Sequence, residues 1–488
     1  GGSANNALSF LKKAVELQPE NYWYKLVYAS LLEEKNQLPE AIKIFDELAN
    51  QHPDKLELKY EMAKLYFFNK DYKNSIKTLN KIESEIGISE EISVLKQKTY
   101  LNMDDVEKAA NEIRQLIIAF PDKYEYYVQL AETYMSNGEQ EKALEVYKEL
   151  YEKNPESATA QLAMSDYYKI KGEEEKSFSV LKEAMSNKEL SIDVKIKYML
   201  NYFQIQPKED TLKREQALEL AEIIAVTHPT DPKAQSLNGD FLYFAENFEG
   251  AKEAYIKTIA LDSSRFPVWN QLLILFSSTN DIENLLNYGK RATNLFPNQP
   301  TSYLLYGHAL AEKKKYGEAA EVLEMGKSLV IENPPLLTEF YSSLGNIYNE
   351  QKKYGESDKN FEKALEISPD NTFVLNNYSY FLSVRNENLE KAKKMSARSN
   401  ELRPGESSFQ DTYGWILYKL GEYKEAKKWI DKALENSEAS GVILEHKGDV
   451  LYKLGEKEKA VEYWQKAKEA GDASELIYKK IQEKKLYE

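Results

Sequence analysis

The chain has 488 residues, 30% of them charged and 42% hydrophobic, with a formal net charge of −15 at pH 7. These values are typical of an ordered protein and exclude a chain that is mainly disordered. A nucleic-acid-binding domain normally presents a basic face. Here the lysine and arginine residues are interleaved with aspartate and glutamate, so we expect no nucleic-acid partner. The absence of cysteine excludes disulfides, thiolate metal sites and a cysteine nucleophile.

The first residues of the chain, Gly-Gly-Ser, look like the remainder of an expression tag, and we assign residues 1–6 to a tag or disordered start. Residues 7–21 then have the pattern of the second helix of a repeat, ending near Pro19, without a first helix before it. We therefore expect native sequence upstream. No apolar run approaches the roughly 20 residues of a membrane-spanning helix, and no signal-peptide pattern is present.

Within three groups, prolines recur along the chain at spacings of 34, 35 or 68 residues: 19, 53, 121 and 155, then 229 and 297, then 369 and 404. The repeat-ending prolines are Pro19, Pro53, Pro121, Pro155, Pro229, Pro297, Pro369 and Pro404. Before several of them stand a small residue, an aromatic residue four positions later and an apolar residue three positions after that, as in Ala143, Tyr147 and Leu150 before Pro155. Small residues let two helices approach closely and large residues fill the space between them, while proline ends the second helix.

A period of 34 residues with this content resembles the helix–turn–helix unit of the tetratricopeptide repeat (TPR) family. The resemblance covers nearly the whole chain, residues 7–472. It implies an all-α fold, a right-handed α-α superhelix or TPR solenoid of about 13 repeats, followed by a C-terminal capping helix. The period is specific for the fold but not for a function.

The copies divide the chain into segments that differ in regularity. We assign a partial repeat (7–21), an N-terminal array (22–189), an irregular repeat (190–231), a middle array (232–333), a C-terminal array (334–472) and a capping helix (473–488).

Two interruptions break the period. In the irregular repeat we expect a first helix over about 191–205, an insertion at 206–213 and a second helix from Ala217. Pro334 and Pro335 make the other interruption. Both are expected to form a bend or a protruding loop.

The last segment, about 474–486, is rich in lysine and glutamate, with Ile477 and Ile481 on one side. It reads as a polar cap that shields the final repeat, which repeat arrays require.

The two final repeats carry a narrower resemblance. Residues 411–423, residues 446–455 and Trp464 are similar to the C-terminal repeats of large bacterial TPR proteins. Several of those proteins are lipoproteins tethered in the envelope, and some act as adaptors for periplasmic proteases or for assembly complexes. The resemblance implies the bacterial periplasm in preference to the cytoplasm, with tethering through a missing N-terminal segment. The lipidated cysteine of such proteins is absent here.

Catalysis needs chemical groups that converge, and no sequence motif supplies them. The four histidines have no metal-ligand spacing, and His446 is expected to be packed. Gly326-Lys327-Ser328 resembles the end of a phosphate-binding loop, but Glu321 stands where that loop needs glycine. We therefore expect no enzyme activity, no metal and no cofactor.

In the TPR family the first helix of each repeat lines the concave surface, and five of its positions point into the groove. Carried over to this chain, these positions hold acidic, tyrosine and asparagine side chains: Glu132, Asp166, Asp240, Asp411, Glu445 and Asp449; Tyr243, Tyr380, Tyr418 and Tyr452; and Asn270, Asn346, Asn349 and Asn376. Asparagine can both donate to and accept from a peptide backbone, and tyrosine adds contact area. The resemblance therefore implies a protein or peptide partner that is basic or polar.

Three functions stay open at this point. The first is a non-enzymatic scaffold that binds protein partners along this groove. The second is an envelope lipoprotein adaptor, and the third is the regulatory part of an enzyme whose catalytic domain is not in the chain. A clamp for a terminal carboxylate, as in chaperone-binding TPR domains, is disfavoured because Asn346 and Asn349 have no lysine at the family's groove positions. The sequence does not determine the oligomeric state.

Overall fold

The computed structural model describes residues 2–203, 211–435 and 440–488, and the regular secondary structure in these ranges is entirely α-helical. The chain divides into two compact units, Gly1–Phe241 and Leu242–Glu488. Residues 206–210 of the predicted insertion lie outside the described ranges.

The described residues form 28 helices joined by short connections. The first fourteen are α1 (Gly2–Leu17), α2 (Tyr22–Glu34), α3 (Leu38–Gln51), α4 (Leu56–Phe68), α5 (Tyr72–Ile86), α6 (Glu90–Leu101), α7 (Val106–Ala119), α8 (Glu125–Ser136), α9 (Gln140–Lys153), α10 (Ala158–Ile170), α11 (Glu174–Ser186), α12 (Ile192–Phe203), α13 (Thr211–Thr227) and α14 (Pro232–Phe244). The other fourteen are α15 (Phe248–Leu261), α16 (Phe266–Ser278), α17 (Ile282–Leu295), α18 (Pro300–Glu312), α19 (Tyr316–Ser328), α20 (Pro334–Glu350), α21 (Tyr354–Ile367), α22 (Thr372–Arg385), α23 (Leu389–Leu402), α24 (Ser407–Lys419), α25 (Tyr423–Glu435), α26 (Gly441–Lys453), α27 (Lys457–Ala470) and α28 (Ile477–Glu483).

In chain order, α2 to α27 form thirteen consecutive pairs within the described residues, with α1 before them and α28 after them. We call the first and second helix of a pair helix A and helix B. The predicted all-α repeat architecture is confirmed.

The turn between helix A and helix B repeats the sequence period in the backbone. Asn36, Lys70, Asp104, Gly138 and Gly172 stand 34 residues apart, and each has a positive φ between 57° and 80°. In these turns the N–H after the left-handed residue donates to a carbonyl five residues earlier, as from residue 37 to residue 32 at 2.8 Å. This bond is the outer one of a Schellman motif, which ends helix A and reverses the chain.

Helices A and B of a pair approach most closely at their small residues. Gly345 of α20 lies so near α21 that a Cβ atom on it would stand 2.9 Å from the ring of Phe361. Beside it, the hydroxyl of Ser357 donates to the carbonyl of Gly345 at 2.8 Å. The equivalent bond from Ser75 to Ala63 is also 2.8 Å. The alternation of small and large residues in the sequence is therefore the packing of one helix on the other.

Helices A of successive pairs also touch one another. In the first unit α8 contacts α10, and in the second unit α16, α18, α20, α22, α24 and α26 contact in sequence. The side of each helix A that faces away from its helix B therefore belongs to one shared surface in each unit. We call this surface the A face.

The two predicted interruptions take a different form in the structure. Helix B of the irregular repeat begins at Thr211, six residues before the predicted Ala217, so residues 211–213 belong to a longer helix. Pro334 and Pro335 occupy the first turn of α20, where the side chain of Asn333 accepts from the N–H of Leu336 at 3.1 Å. Proline suits this position because the first helical N–H groups have no partner within the helix.

The two ends of the array also differ from the sequence prediction. Helix α1 begins at Gly2, so residues 2–6, assigned to a tag or disordered start, are helical. At the other end, α28 is only seven residues long, shorter than the predicted 474–486. Within it Ile477 is buried, as predicted, but Lys480 is buried too.

A buried lysine lies between α12 and the surrounding helices of the first unit. Lys195 has no exposed surface, and its ammonium donates to the carbonyl of Met185 at 2.7 Å and lies 2.8 Å from Nε2 of His228. Burial lowers the pKa of Lys195 to about 8. Burial and the nearby Lys195 charge also lower the pKa of His228.

Replacing Gly345 by alanine is expected to lower the free energy of unfolding by about 1–3 kcal/mol, because the added methyl group overlaps the ring of Phe361. Gly355, in the first turn of α21, is the matched control because no atom lies within 4 Å of the position of its Cβ. Alanine there is expected to be neutral or to stabilise by up to about 1 kcal/mol. Urea unfolding followed by circular dichroism measures both, and equal effects would contradict this packing.

Lys195→Met is expected to alter how stability depends on pH. Because the folded-state pKa lies below the usual 10.5, the unfolded chain binds more protons between pH 8 and 10.5. The wild type is therefore expected to gain stability relative to Lys195→Met as the pH rises through this interval, by at most about 3 kcal/mol. Lys197→Met, at an exposed position of the same helix, is expected to change little. Parallel stability–pH curves for wild type and Lys195→Met would disprove the assignment.

Candidate partner-binding faces

A cavity of about 690 Å³ lies on the A face of the first unit, between α8, α10 and α12. Two of the residues predicted from the sequence, Glu132 and Asp166, line it. The wall also includes the apolar side chains of Val128, Leu162 and Val194. Lys169 and Lys197 line it as well, so the structure joins carboxylates, two lysines and apolar side chains in one open depression.

The carboxylate of Asp166 is partly withdrawn from water. Burial raises the pKa of Asp166 above its usual value, and the hydroxyl of Tyr198 donates to its carboxylate. Burial, with the negative charges of Asp166 and Glu132, also raises the pKa of Tyr147 to about 12. A positively charged group entering this cavity would relieve both effects, because an opposite charge favours the ionised carboxylate.

The predicted asparagines of the second unit lie along its A face, and three have a buried oxygen without a partner. The Oδ1 atoms of Asn270, Asn349 and Asn376 make no hydrogen bond within the described residues. A buried acceptor in this state costs free energy until a donor reaches it. The fourth, Asn346, lines a cavity of about 250 Å³ together with Lys314 and Glu350.

The three carboxylates predicted in the last repeats are buried inside the protein. His446 Nδ1 lies 3.0 Å from both carboxylate oxygens of Asp411. The ammonium of Lys480 lies 2.8 Å from Glu445 and 2.7 Å from Asp449.

Further donors complete this cluster. Trp464 Nε1 donates to Asp449 at 2.8 Å, and the N–H and hydroxyl of Ser474 donate to Glu445 at 2.7 and 2.6 Å. These carboxylates hold α24, α26 and α28 together, and their part in partner binding stays a prediction.

Lys480 is the residue that the sequence interpretation missed. The sequence pattern places it in a polar cap rich in lysine and glutamate, yet only 4% of its side chain is exposed. A signal was present, because Lys480 follows Ile477 by three residues and so shares its side of the helix. A lysine on the buried side of a short helix calls for acidic partners, and helix A of the last pair supplies two of them.

The predicted tyrosines and Asp240 differ in exposure. Tyr418 is buried and stacks on Trp415 with ring centroids 4.7 Å apart, while Tyr452 is half-buried and stacks on Trp464 at 5.7 Å. The remaining three are half-buried or exposed: Tyr243, Tyr380 and Asp240.

Neither a metal centre nor a membrane span is found in the part of the chain that the structure describes. His, Asp and Glu side chains there do not gather in groups of three or more that suit a metal ion. None of the helices in those ranges combines the length and the apolar character needed to cross a membrane.

Family models described as the tetratricopeptide repeat match residues 2–65, 98–158, 338–371 and 410–440. Among curated proteins, the chain is similar to a TPR repeat-containing protein from Pseudomonas aeruginosa, with 25% identity over 133 residues. That match covers 27% of this chain and 22% of the relative, so it spans about a fifth of the relative's length.

Several solved structures are similar at low sequence identity. The APC/C hetero-tetramer Cut9-Hcn1 is 12% identical with a TM-score of 0.44, over 99% of this chain and 93% of that one. A tetratricopeptide repeat protein from Parabacteroides merdae is 16% identical with a TM-score of 0.43, over 52% and 98%. Yeast Tom70 is 17% identical with a TM-score of 0.39, over 89% and 95%. These TM-scores are low, and the fold assignment rests on the helix pairs and the family models.

Lys480→Met is expected to destabilise the second unit by about 3–5 kcal/mol, because it leaves Asp449 and Glu445 buried without their counter-ion. Lys459→Met is the matched control, since it removes an ion pair to Glu456 from a side chain that is 64% exposed. Exposed pairs contribute only about 0–1 kcal/mol. Thermal unfolding compares the two variants, and a similar loss in both would show that the cluster does not hold α28.

Proposed function

We propose that this chain, a tetratricopeptide repeat protein, is a non-enzymatic scaffold that binds an extended peptide segment of a partner protein along its A face. The observation that carries the proposal is the cavity of about 690 Å³ between α8, α10 and α12, lined by Glu132 and Asp166. Arrays of helical repeats present such extended surfaces to partners.

The composition of this cavity indicates the chemistry of the segment. A lysine or arginine side chain would place its charge at Glu132 and Asp166. Burial raises the pKa of Asp166 and of the neighbouring Tyr147. Its aliphatic stem, or a neighbouring apolar residue, would cover Val128, Leu162 and Val194. A basic residue beside an apolar residue is therefore the motif that fits best.

The A face of the second unit supports recognition of a peptide backbone. The side chains of Asn270 and Asn349 are partly exposed. A rotation of either amide would bring its unpaired oxygen to the surface, where it would accept from a backbone N–H group of an extended chain. Satisfying a buried acceptor returns the free energy lost when that acceptor was removed from water. Contacts of this type give affinity without strong sequence preference, so specificity would rest on the charged cavity.

The carboxylates of the last repeats are a poor place to test this function. Reversing the charge of Asp411, Glu445 and Asp449 would break the pairs with His446 and Lys480. A loss of binding in such a variant would then report on folding and not on a contact with the partner.

Two more specific roles stay predictions from the sequence. One is an adaptor held in the bacterial envelope, and the other is the regulatory part of an enzyme. The same A face would serve in either case.

The double variant Glu132→Gln/Asp166→Asn is expected to lose selected basic peptides. Peptides chosen from a random library on the wild-type chain should contain lysine or arginine beside an apolar residue. Their Kd, measured by fluorescence anisotropy, should rise about tenfold or more in the double variant, because two charge-assisted contacts are lost.

Glu145→Gln/Glu152→Gln is the matched control, since it removes the same charge from exposed positions of α9. This variant should keep the wild-type Kd. Selected peptides without a basic residue, or equal Kd values for both double variants, would contradict the proposed site.

A further inference from the structure

The chain turns back on itself after its last helix. Lys484 ends α28 in the left-handed conformation, with φ 49° and ψ 39°, and this reverses the direction of the backbone. Residues 485–488, here called the return segment, then run to the A face of the last two pairs. There Tyr487 and Glu488 line a cavity of about 380 Å³.

The carboxylate of Glu488 is held by three groups from two helices. The hydroxyl of Tyr418 donates to it, and the ammonium groups of Lys453 and Lys419 lie 3.1 and 3.8 Å from its oxygens. Burial acts to raise the pKa of Glu488, but these donors outweigh burial and leave the pKa below its usual value. The carboxylate is therefore ionised in this position.

Beside the two lysines lies a stack of flat rings. Trp415 stacks on Tyr418 at 4.7 Å and on His446 at 4.0 Å, with interplanar angles of 9° and 14°. Lys419 lies 4.8 Å from the centre of the Trp415 ring, so its charge is held at the edge of the stack. The position of Glu488 thus offers two cations and a phenol donor beside an aromatic wall. Three other carboxylates line the cavity and are held by protein groups: Glu445 and Asp449 by Lys480, and Asp472 by the N–H of Gly441.

We propose that this cavity is a second binding site, specific for an acidic side chain carried by a peptide, and that the return segment occupies it as an internal ligand which a partner displaces. Its charge preference is opposite to that of the cavity between α8 and α12, so the proposal does not depend on the function proposed for that cavity.

The contacts of the return segment suit an exchangeable occupant. The side chain of Glu488 remains 38% exposed, and Lys453 is 35% exposed, so the ion pairs are reached by solvent and are individually weak. The hydroxyl of Tyr487 donates to Glu483 within its own turn, and its ring faces Lys479 at 4.1 Å. A segment held by such contacts opens more readily than the packed helices.

The buried ion pairs of Lys480 do not exchange in this way. Lys480, Asp449 and Glu445 are buried and pair with one another. They form the floor on which the return segment rests, and they stay in place when Glu488 leaves.

Displacement is tested on the full chain with a fluorescent synthetic peptide that copies residues 482–488. In the wild type the tethered segment competes at high effective concentration, so the peptide is expected to bind weakly. Glu488→Lys places a cation against Lys419 and Lys453 and is expected to expel the segment. This variant should bind the peptide at least about tenfold more tightly than the wild type.

Two matched variants in the Glu488→Lys background identify the site. Lys419→Met/Lys453→Met should abolish the gain, whereas Lys432→Met/Lys466→Met, at exposed positions of neighbouring B helices, should keep it. A peptide with glutamine in place of its final glutamate should not bind. Circular dichroism checks that each variant is folded.

Any of three results would overturn the proposal. One is equal affinity of wild type and Glu488→Lys, another is equal affinity of the two lysine double variants, and the third is no binding to Glu488→Lys at millimolar peptide. A basic peptide bound between α8 and α12 should be unaffected by all of these variants, so failure here is distinguishable from failure of the proposed function.

Discussion

The close approach of two helices at small residues is the contact on which the rest of this structure depends. Where Gly345 meets Phe361, or Gly448 meets Trp464, no space remains for a further methyl group. This contact fixes helix A against helix B, and its repetition brings successive A helices together in each unit. The A face is therefore a consequence of packing, and its side chains are free to vary because the contacts beneath them keep the helices in place.

The A faces of the two units carry different charges. Between α8 and α12 the carboxylates of Glu132 and Asp166 line an open cavity. At the last two pairs, Asp411 pairs with His446, and Glu445 and Asp449 pair with Lys480. Lys419 and Lys453 there hold the carboxylate of Glu488. The two proposed sites would therefore prefer peptides of opposite charge, although the overall charge of the chain is −15.

The helix pairs and their order were predictable from the sequence because both follow from a local, repeated pattern. Features that do not follow from the pairing of helices were not predictable, such as where an irregular helix begins or which charged side chain is buried. Thr211 begins its helix early because nothing in the pattern forbids helix before Ala217, and Pro334 starts a helix because proline is compatible with a first turn. Burial of Lys480 depends on Asp449, which lies 31 residues earlier, and on Glu445. A repeat pattern carries no information on such pairing. For the same reason the sequence did not distinguish open acidic positions from paired ones.

In the proposed function, a partner peptide binds the surface made by helices A. Hydrogen–deuterium exchange of the chain with and without a selected basic peptide tests it most directly, because protection of backbone amides reports which helices are covered. Protection on binding is expected to be concentrated in α8, α10 and α12, with α9 and α11 little changed. Protection concentrated in α9 and α11 instead would place the partner on the opposite surface and would contradict the account.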